Sequence, residues 1–261
     1  MEREFGVCRL AAVPVIQDAD GGKKISELLF GDAYEVLERH TQASRLKIKM
    51  NFDGIEGWID VRHHVAISPE YFEQITQLDF KITTDIVSTI LYKKSPLPIL
   101  MGSVVPISSS ELFKMDQQFA FNGEAKSIRQ KRDAEFVKGM ALKYLHAPAS
   151  EGGKSPFGIC AQGLIQMVFK ISGYTLPWTL AQQAECGEPV RSADVILPGD
   201  IAFFKDRADN LIHAGIILGD ERIIHAFGQV KIDHFNQEGI LNLETKVYSH
   251  SLALIRRVIN P

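Results

Sequence analysis

The chain has 261 residues and a formal net charge of −3, with acidic and basic side chains mixed along its length. That balance offers no basic stripe to a nucleic acid, and no apolar run is long enough to span a membrane as a helix. Apolar residues make up 45% of the chain, enough for one large domain or two to three small ones.

The first residues, MEREFGVCRL, are charged and then alternate. They lack the basic start and long apolar stretch of a secretory signal, so the expectation is a cytoplasmic protein. The three cysteines, Cys8, Cys160 and Cys186, give neither a disulfide framework nor a zinc spacing. Cys8 and Cys186 are expected as small buried hydrophobes.

Residues 1–68 read as short strands: Gly6–Val15, two runs within Ser26–Glu38 separated by Gly31-Asp32, Leu46–Met50, and Gly57–Val61 after a hairpin signal at Asp53-Gly54. Their even spacing predicts a small barrel. His63-His64 is expected on its surface. Leu28–Glu38 (LLFGDAYEVLE) and Asp53–Asp60 (DGIEGWID) resemble a bacterial SH3-like domain. That resemblance implies a ligand surface built on aromatic residues, with Trp58 and Tyr34 as candidates, against the simpler reading that Trp58 fills the barrel. Residues 69–127 predict a second, diverged SH3-like barrel: a helix at Tyr71–Leu78, then strands at Asp85–Leu91, Leu97–Met101, Ser103–Ile107 and Gln118–Phe121.

From residue 128 the pattern changes. Arg129–His146 predicts an amphipathic helix. A loop rich in Gly and Pro follows, then an apolar helix from about Ala161 that Ser172-Gly173 ends. A short helix is expected around Leu180–Ala184. Strands are expected at Ile201–Phe204, Leu211–Leu218, Ile223–Phe227, Lys231–His234 and Ser251–Val258. Helices followed by a meander of strands make the fold class of residues 128–261 α+β. Lys131-Arg132 and Arg256-Arg257 are expected to be solvated.

Three residues in this half can carry chemistry. Cys160 stands at the head of the apolar helix, where unpaired N–H groups and the helix dipole favour a thiolate. His213 and His225 lie mid-strand on either side of a tight turn at Asp220-Glu221, so a hairpin can place them on one face. A thiol, a base and a polar residue that orients the base form the thiol-hydrolase constellation. For a metal, only Cys160 and distant carboxylates could join the two histidines, so no metal or cofactor is expected.

The stretches Gly152-Gly153-Lys154-Ser155-Pro156-Phe157-Gly158-Ile159, Gly163-Leu164-Ile165-Gln166, Leu176-Pro177, Gln182-Gln183, Pro198-Gly199-Asp200-Ile201-Ala202-Phe203-Phe204, Ile212-His213-Ala214-Gly215-Ile216 and Ile224-His225-Ala226 resemble, in order, the NlpC-type cell-wall peptidases, which are papain-like cysteine enzymes. The resemblance implies a papain-like domain after SH3-like barrels, and a site for murein peptides cut at the γ-D-glutamyl–diamino acid bond. It maps the base to His213 and the residue orienting it to His225.

The departures fall on the chemistry. In the family the helix opens with Asp-Cys-Ser-Gly; here the matching residues are Cys160-Ala161-Gln162-Gly163. Ala161 therefore holds the nucleophile position and Cys160 that of the acid. A Tyr-x-Trp before the glycine pair is Ala149-Ser150-Glu151 here, and the residues after Leu-Pro are Trp178-Thr179-Leu180. The candidate pocket is thus Glu151, Gln162, Trp178, Thr179 and Leu180. Two functions are expected to compete. One is a catalytically inactive homologue that binds a murein-derived or other peptide or regulates a protein partner; the other is a working endopeptidase using Cys160 with His213 and His225.

Overall fold

Alternating apolar residues turn the first half of the chain into sheet. The computed structural model describes residues 3–105, 120–191, 195–242 and 245–259. The chain packs as two units, Met1–Gln130 with Glu151–Ser155, and Lys131–Ser150 with Pro156–Pro261.

In the first unit, strands β1 (Glu4–Val7), β2 (Ala12–Asp18), β3 (Gly21–Leu29), β4 (Ala33–His40), β5 (Arg45–Met50), β6 (Glu56–Asp60) and β7 (Ala66–Ile67) form one antiparallel sheet in the order β3-β2-β6-β5-β4-β1-β7. Cys8, Val13, Val15, Leu28, Tyr34, Leu46, Ile48, Met50 and Ile59 form its core. The expected strand Gly6–Val15 splits in two. Cys8 pairs with the Gly31-Asp32 turn through Cys8 N–H to Asp32 O (2.9 Å) and Gly31 N–H to Cys8 O (2.9 Å), which draws the chain out of the strand. His64 is not a surface residue: its Nδ1 meets Tyr34 Oη at 3.1 Å and its Nε2 meets Glu4 at 3.0 Å.

Helix α1 (Pro69–Gln77) follows, capped by Ser68 with a proline in its first turn, as a helix start should be. Then come β8 (Lys81–Thr83), β9 (Val87–Tyr92), β10 (Ser95–Leu100), β11 (Val104–Val105), β12 (Ala120–Asn122) and β13 (Ala125–Ser127). They form two three-stranded sheets, β10-β9-β12 and β11-β8-β13. The parts of the expected strands Ser103–Ile107 and Gln118–Phe121 within 106–119 lie outside the described residues. Phe30, just after β3, packs with Ile90, Ile99 and Val105, in a core of its own beside that of the first sheet. At Gly31 (φ +87°) a Cβ would stand 1.9 Å from Val104 O, so only glycine fits. The strip β14 (Lys154–Ser155) belongs to this unit: Lys154 Nζ reaches Asp53 Oδ2 at 2.7 Å with both side chains buried, and its N–H donates to Glu27 at 2.9 Å.

The second unit begins with α2 (Ala134–Leu142), shorter than the expected 129–146. Asp133 caps it by accepting from Phe136 N–H (2.9 Å), and the chain turns at His146 (φ +69°). After β15 (Gly158–Ile159) comes α3 (Ala161–Ile171), in which every residue but Gln162 is buried. It packs on α2 and on two strands described next. Helix α4 (Leu180–Gln183) and strands β16 (Glu188–Pro189), β17 (Ile201–Lys205), β18 (Leu211–Gly219), β19 (Arg222–Phe227), β20 (Gln229–Asn236), β21 (Gly239–Asn242) and β22 (Val247–Arg257) complete the unit. The sheet runs β16-β22-β17-β18-β19-β20-β21, and β21 also pairs with β22, closing six strands into a barrel. Strands β18 and β19 are the ones under α3.

Arg257 is not a solvated charge. Its guanidinium grips the buried carboxylate of Asp200 through Nε (2.8 Å) and Nη2 (2.7 Å), tying the turn before β17 to the end of β22. Cys8 is buried, whereas Cys186 is half-buried, with Sγ 3.4 Å from Gln182 O, and is not a core residue.

Candidate active site

The apolar helix places its first residues against the barrel. Cys160 is the N-cap of α3, with extended backbone (φ −98°, ψ 169°) and no capping bond from its thiol. Ala161, the first helical residue, is buried. Cys160 is half in the helix: its carbonyl accepts the first helical bond from Leu164 N–H at 2.9 Å, while its extended backbone sets its own side chain outside the first turn. The helix they head lies on β18, the strand of His213.

The β18–β19 hairpin turns at Asp220-Glu221, both with positive φ (50° and 55°), as a tight two-residue turn requires. Its register sets Gly215 opposite His225 and leaves His213 two residues further along on the same face. Gly215 has no room for a side chain, because a Cβ would stand 2.7 Å from Ile223 Cδ1 and 2.9 Å from Ile224 O. The result is a direct bond, His213 Nε2 to His225 Nδ1 at 2.8 Å. His225 is fully buried, and its other nitrogen, Nε2, meets Asp233 Oδ2 at 3.1 Å. Lys231 Nζ contacts the same oxygen at 2.9 Å. A third ring closes the group: His250, on β22, stacks on His213 with centroids 4.4 Å apart and planes at 26°. The half-exposed ring of Phe227 meets His250 edge-on at 5.0 Å.

This crowding determines the protonation states. Burial, then the neighbouring His225 and His250, push the His213 pKa down to about 2. Burial, then His225 and Lys231, lower that of His250 to about 4. The hydrogen bond from His225 leads the causes that hold the Asp233 carboxyl down at about 2, with Lys231 assisting. Near neutral pH the site therefore presents neutral rings at positions 213 and 250 and an ionised carboxylate behind them. The first N–H groups of α3 point from the head of the helix, as donors for a developing or resident negative charge.

Of the residues singled out from sequence, His213 and His225 are brought together, and Cys160 and Ala161 stand at the head of the helix over β18. Gln162 is half-buried and its carbonyl accepts from Gln183 Nε2 at 3.1 Å. Trp178 is buried, Thr179 caps α4 through Gln182 N–H (3.3 Å), and Leu180 begins that helix half-buried. Glu151 belongs to the N-terminal unit, where its exposed carboxylate lies 3.5 Å from Lys23. Among the described residues, no three His, Cys, Asp or Glu side chains cluster as a metal site.

Sequence reasoning missed Asp233, Lys231 and His250. A signal for the first two existed. The turn centred on Gly228 pairs His225 with Lys231 and brings Asp233 onto the same face two residues on. Nothing in the sequence marks His250, which reaches His213 because β22 crosses the barrel.

A helix head set over a barrel strand whose histidine is backed by a second histidine and a carboxylate is the arrangement of a papain-like fold. Residues 148–250 match the NlpC/P60 family, and this part of the chain is an NlpC/P60 domain. Among curated proteins, the chain is 27% identical over 164 residues to a gamma-D-glutamyl-L-lysine dipeptidyl-peptidase of Bacillus subtilis (strain 168), covering 59% of this chain and 53% of that protein. It is 35% identical over 94 residues to a probable endopeptidase of Mycobacterium tuberculosis, covering 36% of this chain and 23% of the relative. The chain thus spans between about a quarter and a half of the length of these relatives. Among solved structures it is similar to an NlpC/P60 family protein from Bacillus cereus ATCC 10987, at TM-score 0.82 and 16% identity, over 98% of this chain and 100% of that one. It is also similar to an NlpC/P60 endopeptidase from Photobacterium damselae subsp. piscicida, at TM-score 0.70 and 14% identity, over 97% and 70% of the two chains. At these identities the likeness is one of fold. No described helix is long and apolar enough to cross a membrane.

Proposed function

We propose that this chain carries a non-cleaving NlpC/P60 domain that binds a murein-derived peptide. The observation that carries this reading is the head of α3. The first helical residue, which the family's Cys matches in sequence, is Ala161, and the thiol next to it in the chain belongs to the extended cap residue Cys160. A methyl group at that position removes covalent catalysis while leaving the helix, the barrel and the histidine pair in place. The peptidase activity that names the B. subtilis relative supports a peptide with a γ-D-glutamyl–diamino acid bond as the ligand. Such a domain serves as a peptide-binding or regulatory module.

A second reading draws on Cys160 itself. It is half-buried beside the N–H groups of α3, where a thiolate is favoured, and a working endopeptidase would use it with His213 and His225. One experiment separates the two. The protein is incubated with a murein tripeptide bearing that bond, products are followed by mass spectrometry, and binding is measured by calorimetry. Binding without product is expected. Product formation that Cys160→Ala abolishes overturns the non-cleaving reading, and absence of binding overturns the ligand.

A further inference from the structure

The histidine pair is one segment of a longer chain of groups: Lys231 Nζ to Asp233 Oδ2 at 2.9 Å, Asp233 Oδ2 to His225 Nε2 at 3.1 Å, and His225 Nδ1 to His213 Nε2 at 2.8 Å. Each link can be given a direction. An ionised carboxylate only accepts, so His225 Nε2 carries the proton on that side. A neutral His225 then has its lone pair on Nδ1, and His213 Nε2 must be the donor across the 2.8 Å contact. His213 is left with its lone pair on Nδ1.

The competing arrangement makes His225 an imidazolium that donates from both nitrogens, which reverses the tautomer of His213. It would put a second cation beside the lysine that already balances Asp233. That cation would sit on a fully buried ring packed 5.0 Å from His213 and 6.0 Å from His250. Burying a charge against neutral rings is expensive when the carboxylate has a counter-ion in place.

We infer that Asp233 is a positioning residue: through His225 it holds His213 in the tautomer that presents a bare Nδ1. The role does not depend on whether the domain cleaves. A bare Nδ1 accepts the proton of a thiol in one reading and the N–H or O–H of a bound ligand in the other. His250 stacks on His213 without bonding to it, and its own Nδ1 is engaged by Ser249 Oγ at 2.9 Å. It therefore holds the ring's plane and leaves the tautomer to Asp233.

The test reads tautomers directly. Long-range 1H–15N NMR of the full-length protein, labelled at its eight histidines, distinguishes Nδ1–H, Nε2–H and doubly protonated rings. The His213 signal is identified by its loss in His213→Gln. The wild type at neutral pH is expected to show His213 and His225 both as Nε2–H forms. Asp233→Asn, whose amide can donate as well as accept, is expected to give His213 as a mixture or as the Nδ1–H form. His250→Phe, which keeps a stacked ring, is expected to leave the tautomer unchanged. A doubly protonated His225 with Nδ1–H at His213 in the wild type overturns the inference, and this result needs no variant to fold. An Asp233→Asn protein with an unchanged His213 tautomer also overturns it, as does a His250→Phe protein in which the tautomer changes.

Discussion

Lowering the pH should weaken the C-terminal unit through His213 in an amount that can be worked out. In the folded protein this ring stays neutral down to about pH 2, chiefly because it is buried, and next because His225 and His250 crowd it. In the unfolded chain a histidine titrates near about pH 6.5. Between pH 7 and pH 5 the unfolded state therefore takes up a proton at this position and the folded state does not. Stability falls wherever the unfolded state binds more protons as pH drops. At about 1.4 kcal/mol per pH unit below the unfolded value, the loss from pH 7 to pH 5 is about 2 kcal/mol. His250, also depressed, adds to the slope with the same sign. Asp233 does not enter this window: its lowered pKa gives stability that is present above about pH 4 and lost only on further acidification. The comparison is wild type against His213→Gln, because the Gln amide can still donate to His225 from the place of Nε2. Each unit has one tryptophan, Trp58 in the first and Trp178 in the second, so a Trp58→Phe background makes fluorescence report the C-terminal unit. Urea unfolding at pH 7, 6 and 5 should show the wild type losing about 2 kcal/mol more than His213→Gln over the range. Equal slopes refute the reasoning, as does a His213 ring that titrates above pH 5 by NMR in the folded wild type.

Arg257→Ala removes the guanidinium that neutralises the buried Asp200 carboxylate and should destabilise the C-terminal unit by about 3 kcal/mol, read by Trp178 fluorescence in the same background. Ala161→Cys puts a thiol on the first helical residue, at the end of the helix dipole. Peptide mapping after brief treatment with iodoacetamide should find it alkylated about tenfold faster than Cys160 in the wild type; equal rates would count against Ala161 as the nucleophile position.

The residue pattern alone carried much of this protein. Alternation over 1–68 and the apolar run from Ala161 set strand and helix, because burial of one face imposes a period of two or of 3.6 residues. The pairing of His213 with His225 was legible because a two-residue turn at Asp220-Glu221 leaves little choice of register. The start of the apolar helix near Ala161 was legible too, and α3 begins there.

Other features depended on contacts between distant segments, which local pattern does not encode. Gly6–Val15 alternates as one strand, yet it breaks at Cys8 because the Gly31-Asp32 turn offers better hydrogen-bond partners. Arg256-Arg257 reads as surface charge until the buried Asp200, 57 residues away, takes Arg257 into a part-buried pair. His64 reads as exposed until Tyr34 and Glu4 close over it. Glu151 is adjacent in sequence to the C-terminal unit but packs with the N-terminal one. His250 becomes part of the site only because β22 closes the barrel and lays its ring on His213. Sequence determined which groups were available and which faces were buried. Closure of the barrel decided which ring stacks on the hairpin-paired histidines, since that contact exists only once distant strands have met.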